Sequence, residues 1–154
     1  MNWKIRKLQG KQLDKLLSPL GKLTCPKEGW VKTIRSTLGM TSKQLGKRIG
    51  VSSPRILKIE QDEIQEKTTL ATLKKLANGM DCEFVYGFVP RKGLVASIED
   101  QALKKAEEQI SRVSHTMALE NQRVDEKTSN EHIKILKEEL LTKNIKRIWE
   151  DDEI

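Results

Sequence analysis

Apolar residues recur at helical spacing through most of the chain, and the breaks in that spacing mark off its elements. Residues 3 to 18 place Ile5, Leu8, Leu13, Leu16 and Leu17 at the apolar positions of a basic helix that Pro19 and Gly21 end. After a loop containing Pro26, a second helix starts at Glu28, carries Trp30, Val31, Ile34 and Leu38, and stops at Gly39. In "GMTSKQLGKRIGVSSPRILKIEQDE" the pattern shortens. Thr41 or Ser42 can cap a helix carrying Leu45 and Ile49. Gly50 supplies a tight turn plugged by Val51, and Ser52 caps a further helix with Pro54 in its first turn. Ile56, Leu57 and Ile59 give that helix its buried side. "TTLATLKKLANGM" predicts another helix, capped by Thr68 or Thr69 and closed by Gly79.

The period then changes. "CEFVYGFVP" is rich in aromatic and β-branched residues and is stopped by Pro90, so it predicts one short strand, paired with another segment or with a second copy. From residue 94 to about 123 a long helix carries Ile98, Ala102, Ala106, Ile110, Val113 and Met117 on one face, and that stripe runs into Glu120. Thr128 or Ser129 caps a last helix with Ile133, Leu136, Leu140 and Ile148 on one side. Its acidic end, "EDDEI", opposes the helix dipole and is expected to fray. The fold expected is mainly α: a basic N-terminal helix (1–22), a five-helix domain with one short strand (28–92), and an acidic two-helix arm (94–154).

Charge sharpens this division. Residues 1 to 92 hold 19 Lys and Arg against 8 Asp and Glu, a net +11, whereas residues 93 to 154 hold 10 against 14, a net −4. A basic front half points to a polyanionic partner, nucleic acid being the usual one. No run of about 18 apolar residues is present to cross a membrane, and the amphipathic start lacks the apolar core of a secretory signal. Cys25 and Cys82 have no metal-ligand spacing and are expected to be reduced residues of a cytoplasmic protein. No cofactor or metal is expected.

Two short helices joined by a Gly-Val turn, the second polar on its outer face, have the form of a helix-turn-helix. Leu45, Gly46, Ile49, Val51, Ile56 and Ile59 would hold the second helix at a fixed angle to the first. From about Trp30 to Ala77 the chain resembles the Cro/phage-repressor (XRE) family, and "TSKQLGKRIGVSSPRILKIE" follows its pattern almost position by position. The resemblance implies a five-helix fold and binding of double-stranded DNA. It places Ser42 at a phosphate and Ser52, Ser53, Pro54, Arg55 and Lys58 at groove-facing positions. Pro54 cannot read a base edge by hydrogen bond, while Arg55 and Lys58 can reach guanine or phosphate. Lys43, Lys47 and Arg48 add charge nearby.

Thr116-Met117-Ala118-Leu119-Glu120-Asn121 fits Ser/Thr-x-x-x-Glu-Gly/Asn. It is similar to the inhibition motif of proteins that restrain Fic-domain adenylyltransferases, with Asn121 at the place often held by Gly. The basic first helix, the repressor-like block, "DCEFVYGFVP" and "HTMALENQ" together resemble the mobile mystery protein A family over nearly the full length, whose members are typically encoded beside a Fic-domain protein. That resemblance implies an antitoxin. Glu120 would pair with an arginine of the Fic active site, in space the ATP γ-phosphate needs, with Thr116 on the same helix face. The chain lacks the Fic catalytic motif and a Gly-rich phosphate loop, and His115 and His132 have no partners at catalytic or metal spacing, so no enzyme activity is expected. The alternatives are a plain XRE-type repressor, homodimeric on DNA, whose C-terminal arm only dimerises it, and a binding module for an unrelated protein.

Overall fold

The computed structural model describes residues 1–120 and 125–151. Seven α-helices are present among them: α1 (Trp3–Leu17), α2 (Trp30–Thr37), α3 (Ser42–Ile49), α4 (Ser53–Ile64), α5 (Leu70–Gly79), α6 (Leu94–Leu119) and α7 (Glu126–Thr142), with 3₁₀ turns at Ser18–Lys22 and Ile145–Trp149. They fall into two compact units, residues 21–87 and residues 1–20 with 88–154.

The contiguous unit holds α2 to α5 around Val31, Leu45, Ile56, Ile59, Leu76 and Met80. Leu45, Ile56 and Leu76 are fully buried, each contributing about 1.5–3 kcal/mol of transfer free energy. Trp30, Leu38 and Leu57 lie outside this core, exposed, although helical spacing had offered all three to it. Two of the helices begin on side-chain caps that the sequence left as alternatives. Thr41, not Ser42, caps α3, and Thr69, not Thr68, caps α5. The start of α2 is different. Gly29 has no side chain to offer, and the Glu63 carboxylate of α4 accepts from Trp30 N–H (2.8 Å) and Val31 N–H (3.1 Å) instead. A Cβ at Gly29 would stand 2.8 Å from Glu63 Oε2.

The second unit joins α1 to the hairpin of α6 and α7. Ala102 and Ala106 let α7 approach α6 closely, and Leu140, Leu141 and Ile148 fill the seam with Trp3, Ile98, Ile133 and Leu136 around them. The start of α6 repeats the arrangement at α2. Gly93 precedes it, and Asp14 of α1 accepts from Leu94 N–H (2.6 Å) and Val95 N–H (3.4 Å). Gly10 seats α1 on α6, because a Cβ there would meet Val95 Cγ2 at 2.8 Å. Of the apolar residues assigned to the buried side of α1, Ile5, Leu8, Leu13 and Leu16 are exposed. Leu17 alone of the five is half-buried, and it shares the inward side with Trp3, Gly10 and Asp14.

Four further expectations are corrected. Residues 82–90 form no strand, and no strand occurs among the described residues, because a strand needs a ladder and no second segment supplies one. The last helix is capped by Asp125, which accepts from Thr128 N–H at 2.8 Å, rather than by Thr128 or Ser129. The Thr128 hydroxyl, then its backbone N–H, hold the Asp125 carboxyl below the usual carboxylate range. That helix ends at Thr142, so Ile148 reaches the core from a separate 3₁₀ turn and Glu150 and Asp151 lie beyond any α-helical end. α6 itself stops at Leu119, with Glu120 as its C-cap, short of residue 123.

Candidate nucleic-acid interface

α3 and α4 form a pair whose angle is fixed by a close backbone turn together with side-chain contacts. Thr41 and Gln44 make a reciprocal capping box at the start of α3: the Thr41 hydroxyl accepts from Gln44 N–H (3.1 Å) and Gln44 Oε1 accepts from Thr41 N–H (2.8 Å). Gly50 ends α3 in the left-handed region at φ 76°, a conformation that favours glycine. The chain then folds back so closely that a Cβ on Gly46 would lie 2.4 Å from the carbonyl oxygen of Val51. Ser52 caps α4 by accepting from Arg55 N–H at 3.3 Å, and Pro54 sits in the first turn, where no hydrogen-bond donor is needed. A 2.7 Å hydrogen bond between the hydroxyls of Ser42 and Ser53 ties the two helix starts together.

This accounts for the expected contact residues one by one. Ser42 and Ser53 are brought together, each hydroxyl facing the other. Ser52 is exposed, but its hydroxyl is already engaged as a cap. Lys43 is exposed on α3, as is Lys47. On α4, Arg55 is exposed and has no ion partner among the described residues, while Lys58 pairs with Asp62 one turn on, at 2.9 Å, with both ends still reachable by water. Arg55 is therefore the free cation of the outer face of α4. Arg48 is committed elsewhere, since its Nε donates to the Gly79 carbonyl at the end of α5 (2.6 Å). Residues 21–87 carry 12 Lys and Arg against 7 Asp and Glu, a net +5, so the basic excess survives in this unit alone.

The support beneath α4 went unseen in the sequence. Arg35 Nε donates to Glu60 Oε1 (2.6 Å), its Nη2 to Glu60 Oε2 (3.2 Å) and its Nη1 to the Met40 carbonyl (2.8 Å). Both side chains are nearly buried, at 12% and 5% exposure. The signal was present. Glu60 follows Ile56 by four residues and Arg35 follows Val31 by four, so each stands on its helix's buried face.

Residues 31–86 match the family described as Helix-turn-helix. That match supports an XRE-like helix-turn-helix in this segment, a kind of domain found in DNA-binding regulators, with α4 in the place of its second helix. No curated protein and no solved structure matches the chain. No helix of the described residues is long and apolar enough to cross a membrane. Outside the helix-turn-helix, Thr116 and Glu120 stand at the end of α6. The Thr116 hydroxyl donates to the Arg112 carbonyl (3.1 Å), and Glu120 is exposed, with no side-chain partner among the described residues. Asn121 lies outside the described residues.

Proposed function

We propose that the chain is a transcription regulator that reads duplex DNA with α4, binds its operator as two copies, and silences a partner Fic-domain adenylyltransferase through the end of α6. The DNA half rests on one observation: a fixed helix pair that leaves Arg55 free on the outer face of α4. One such helix reaches only a few base pairs, too few for a unique site, which favours a paired arrangement. Binding weakens steeply with salt as condensed counterions are released. Arg55→Ala costs about 1–3 kcal/mol if its contact is a base edge. Lys58→Ala costs less, since Lys58 must first leave Asp62. In a promoter-fragment shift assay, an Arg55→Ala variant that binds like wild type removes α4 as the reading helix.

The antitoxin half is supported by the Thr-x-x-x-Glu pattern, by the resemblance to the mobile mystery protein A family, and by the exposure of Glu120 at the end of a 26-residue helix. A carboxylate there can form a charge-assisted, bidentate bond with an arginine and compete with a triphosphate for it. Glu120→Gln leaves the complex intact and lowers inhibition, and Thr116→Ala acts in the same direction, less strongly. The measurement is adenylylation by the adjacent Fic protein with labelled ATP, beside a pull-down. Full silencing by Glu120→Gln removes the carboxylate as the inhibitory group. Absence of any complex with the unaltered chain leaves a repressor whose α6–α7 hairpin has a purely structural role.

A further inference from the structure

Residues 83–89 have the residue types of a strand but no regular secondary structure and no partner. Phe84 and Tyr86 stack with ring centroids 6.1 Å apart and planes 23° from parallel, the spacing of alternate side chains on one face of extended chain. No residue from 82 to 90 has a positive φ, Gly87 included, and the chain bends just beyond, at Arg91 and Lys92. Val85, Tyr86 and Phe88 are 68%, 61% and 83% exposed. Among the described residues no backbone hydrogen bond is made by residues 83–89. Phe84 and Val85 also border an apolar cavity of about 480 Å³ with Trp30, Ile34, Leu73 and Met80. A row of free N–H and C=O groups beside exposed β-forming side chains is a template for another strand.

We propose that this segment pairs with its own copy in a second chain, as a two-stranded antiparallel ribbon centred on Gly87. The described residues of the chain hold no strand to offer, so the occupant comes from another molecule. The sequence is self-complementary about Gly87 and not about its neighbours. In that register Tyr86 stands opposite Phe88 of the copy, Val85 opposite Val89, and Glu83 opposite Arg91, which has no ion partner among the described residues. Aromatic, β-branched and opposite-charge pairs are the three kinds that stabilise cross-strand contacts. Gly87 at the centre lets the two backbones meet on the axis without a side chain between them, and Pro90 stands opposite Phe84, where its missing donor is tolerated when that position faces the open edge of the ribbon. The same contact is isologous, so it closes at two copies. This deepens the two-copy part of the proposed function by naming the surface that pairs the copies.

The test uses the full-length chain without DNA. Sedimentation equilibrium is expected to give a dimer. Glu83→Arg places two like-charged pairs across the axis and weakens dimerisation on the order of tenfold. Arg91→Glu does the same, and the two together restore the unaltered affinity, a rescue that general destabilisation does not produce. In a Cys25→Ser, Cys82→Ala background, Gly87→Cys cross-links to its copy under mild oxidation and Val85→Cys does so much less, because residue 85 faces 89. A monomer at tens of micromolar, or a dimer indifferent to both charge reversals and uncross-linked at residue 87, overturns the proposal. The shift assay with Arg55→Ala stands apart: a chain that dimerises in this register but fails to bind DNA sinks the DNA reading alone.

Discussion

Both α4 and α6 carry a glutamate on an apolar stripe, and the two glutamates have opposite surroundings. Glu60 is 4% exposed and grips Arg35 with both oxygens, on the buried face of α4. Glu120 is exposed at the C-cap of α6, one turn past the half-buried Met117. Burial separates them. A carboxylate inside a core must find a cation or lose several kcal/mol, so its partner is dictated by the fold. A carboxylate at the C-terminal end of a helix is disfavoured by the dipole, and Glu120 has no side-chain partner among the described residues. One glutamate holds the scaffold together, and the other is left available to a different molecule.

The strongest way to break that contrast is to delete each carboxylate. Glu60→Ala strands Arg35 and is expected to cost about 3–5 kcal/mol. The measurement is urea unfolding followed by Trp30 fluorescence in a Trp3→Phe, Trp149→Phe background. Glu120→Ala is expected to stay within about 0.5 kcal/mol. A comparable loss from both would mean that Glu120 is structural. Next in size, Gly46→Ala pushes a methyl against the Val51 carbonyl, which is backbone and cannot step aside. About 1–3 kcal/mol is expected, with DNA affinity falling further as the angle between α3 and α4 opens. Wild-type operator binding by Gly46→Ala would show that this angle is not critical.

The remote caps sharpen the comparison within each unit. Glu63→Ala and Asp14→Ala each leave the first N–H groups of a helix without an acceptor, at about 1 kcal/mol apiece. Amide exchange should quicken at Trp30 and Val31 in the first and at Leu94 and Val95 in the second, and exchange that is unchanged in either refutes its cap. The smallest effect is at Asp125. Its carboxyl is held below the usual range by the Thr128 hydroxyl and N–H, so its support for α7 is complete above the ordinary carboxylate pKa. That support is lost as pH falls through the depressed value. Asp125→Asn keeps an acceptor but removes the charge, so the Thr128 amide shift should stop titrating. A shift that still follows pH in that variant would assign the titration to another group.

The caps show how far local sequence carries. Ser52 as a cap was legible, and the cap of α3 was narrowed to Thr41 or Ser42, because a cap and the N–H it serves lie within four residues. Glu63 and Asp14 were not, because each serves a helix that begins 33 or 80 residues away, and only packing brings them there. The outward leucines of α1 failed for a related reason. Helical spacing shows which residues share a face but not which face the rest of the chain covers, and here Gly10, with no side chain, marks the covered one. Residues 82–90 carry β-forming residue types yet form no strand, because strand formation is a property of pairs and composition alone does not supply the second segment. Arg55 was found from its place in the motif. Its freedom beside the engaged Lys58, Arg48 and Ser52 needed coordinates.

The division of the chain has a consequence in time. The helix-turn-helix unit, residues 21–87, is one uninterrupted piece, whereas the other unit needs residues 1–20 and the far end, residues 88–154, together. A ribosome adding about 5–20 residues per second releases Ile148 roughly 3–12 s after Gly87. For those seconds α1 has no complete partner to lie on, while every residue of the helix-turn-helix unit has already been added. The two units therefore become able to fold at different times, the contiguous one first.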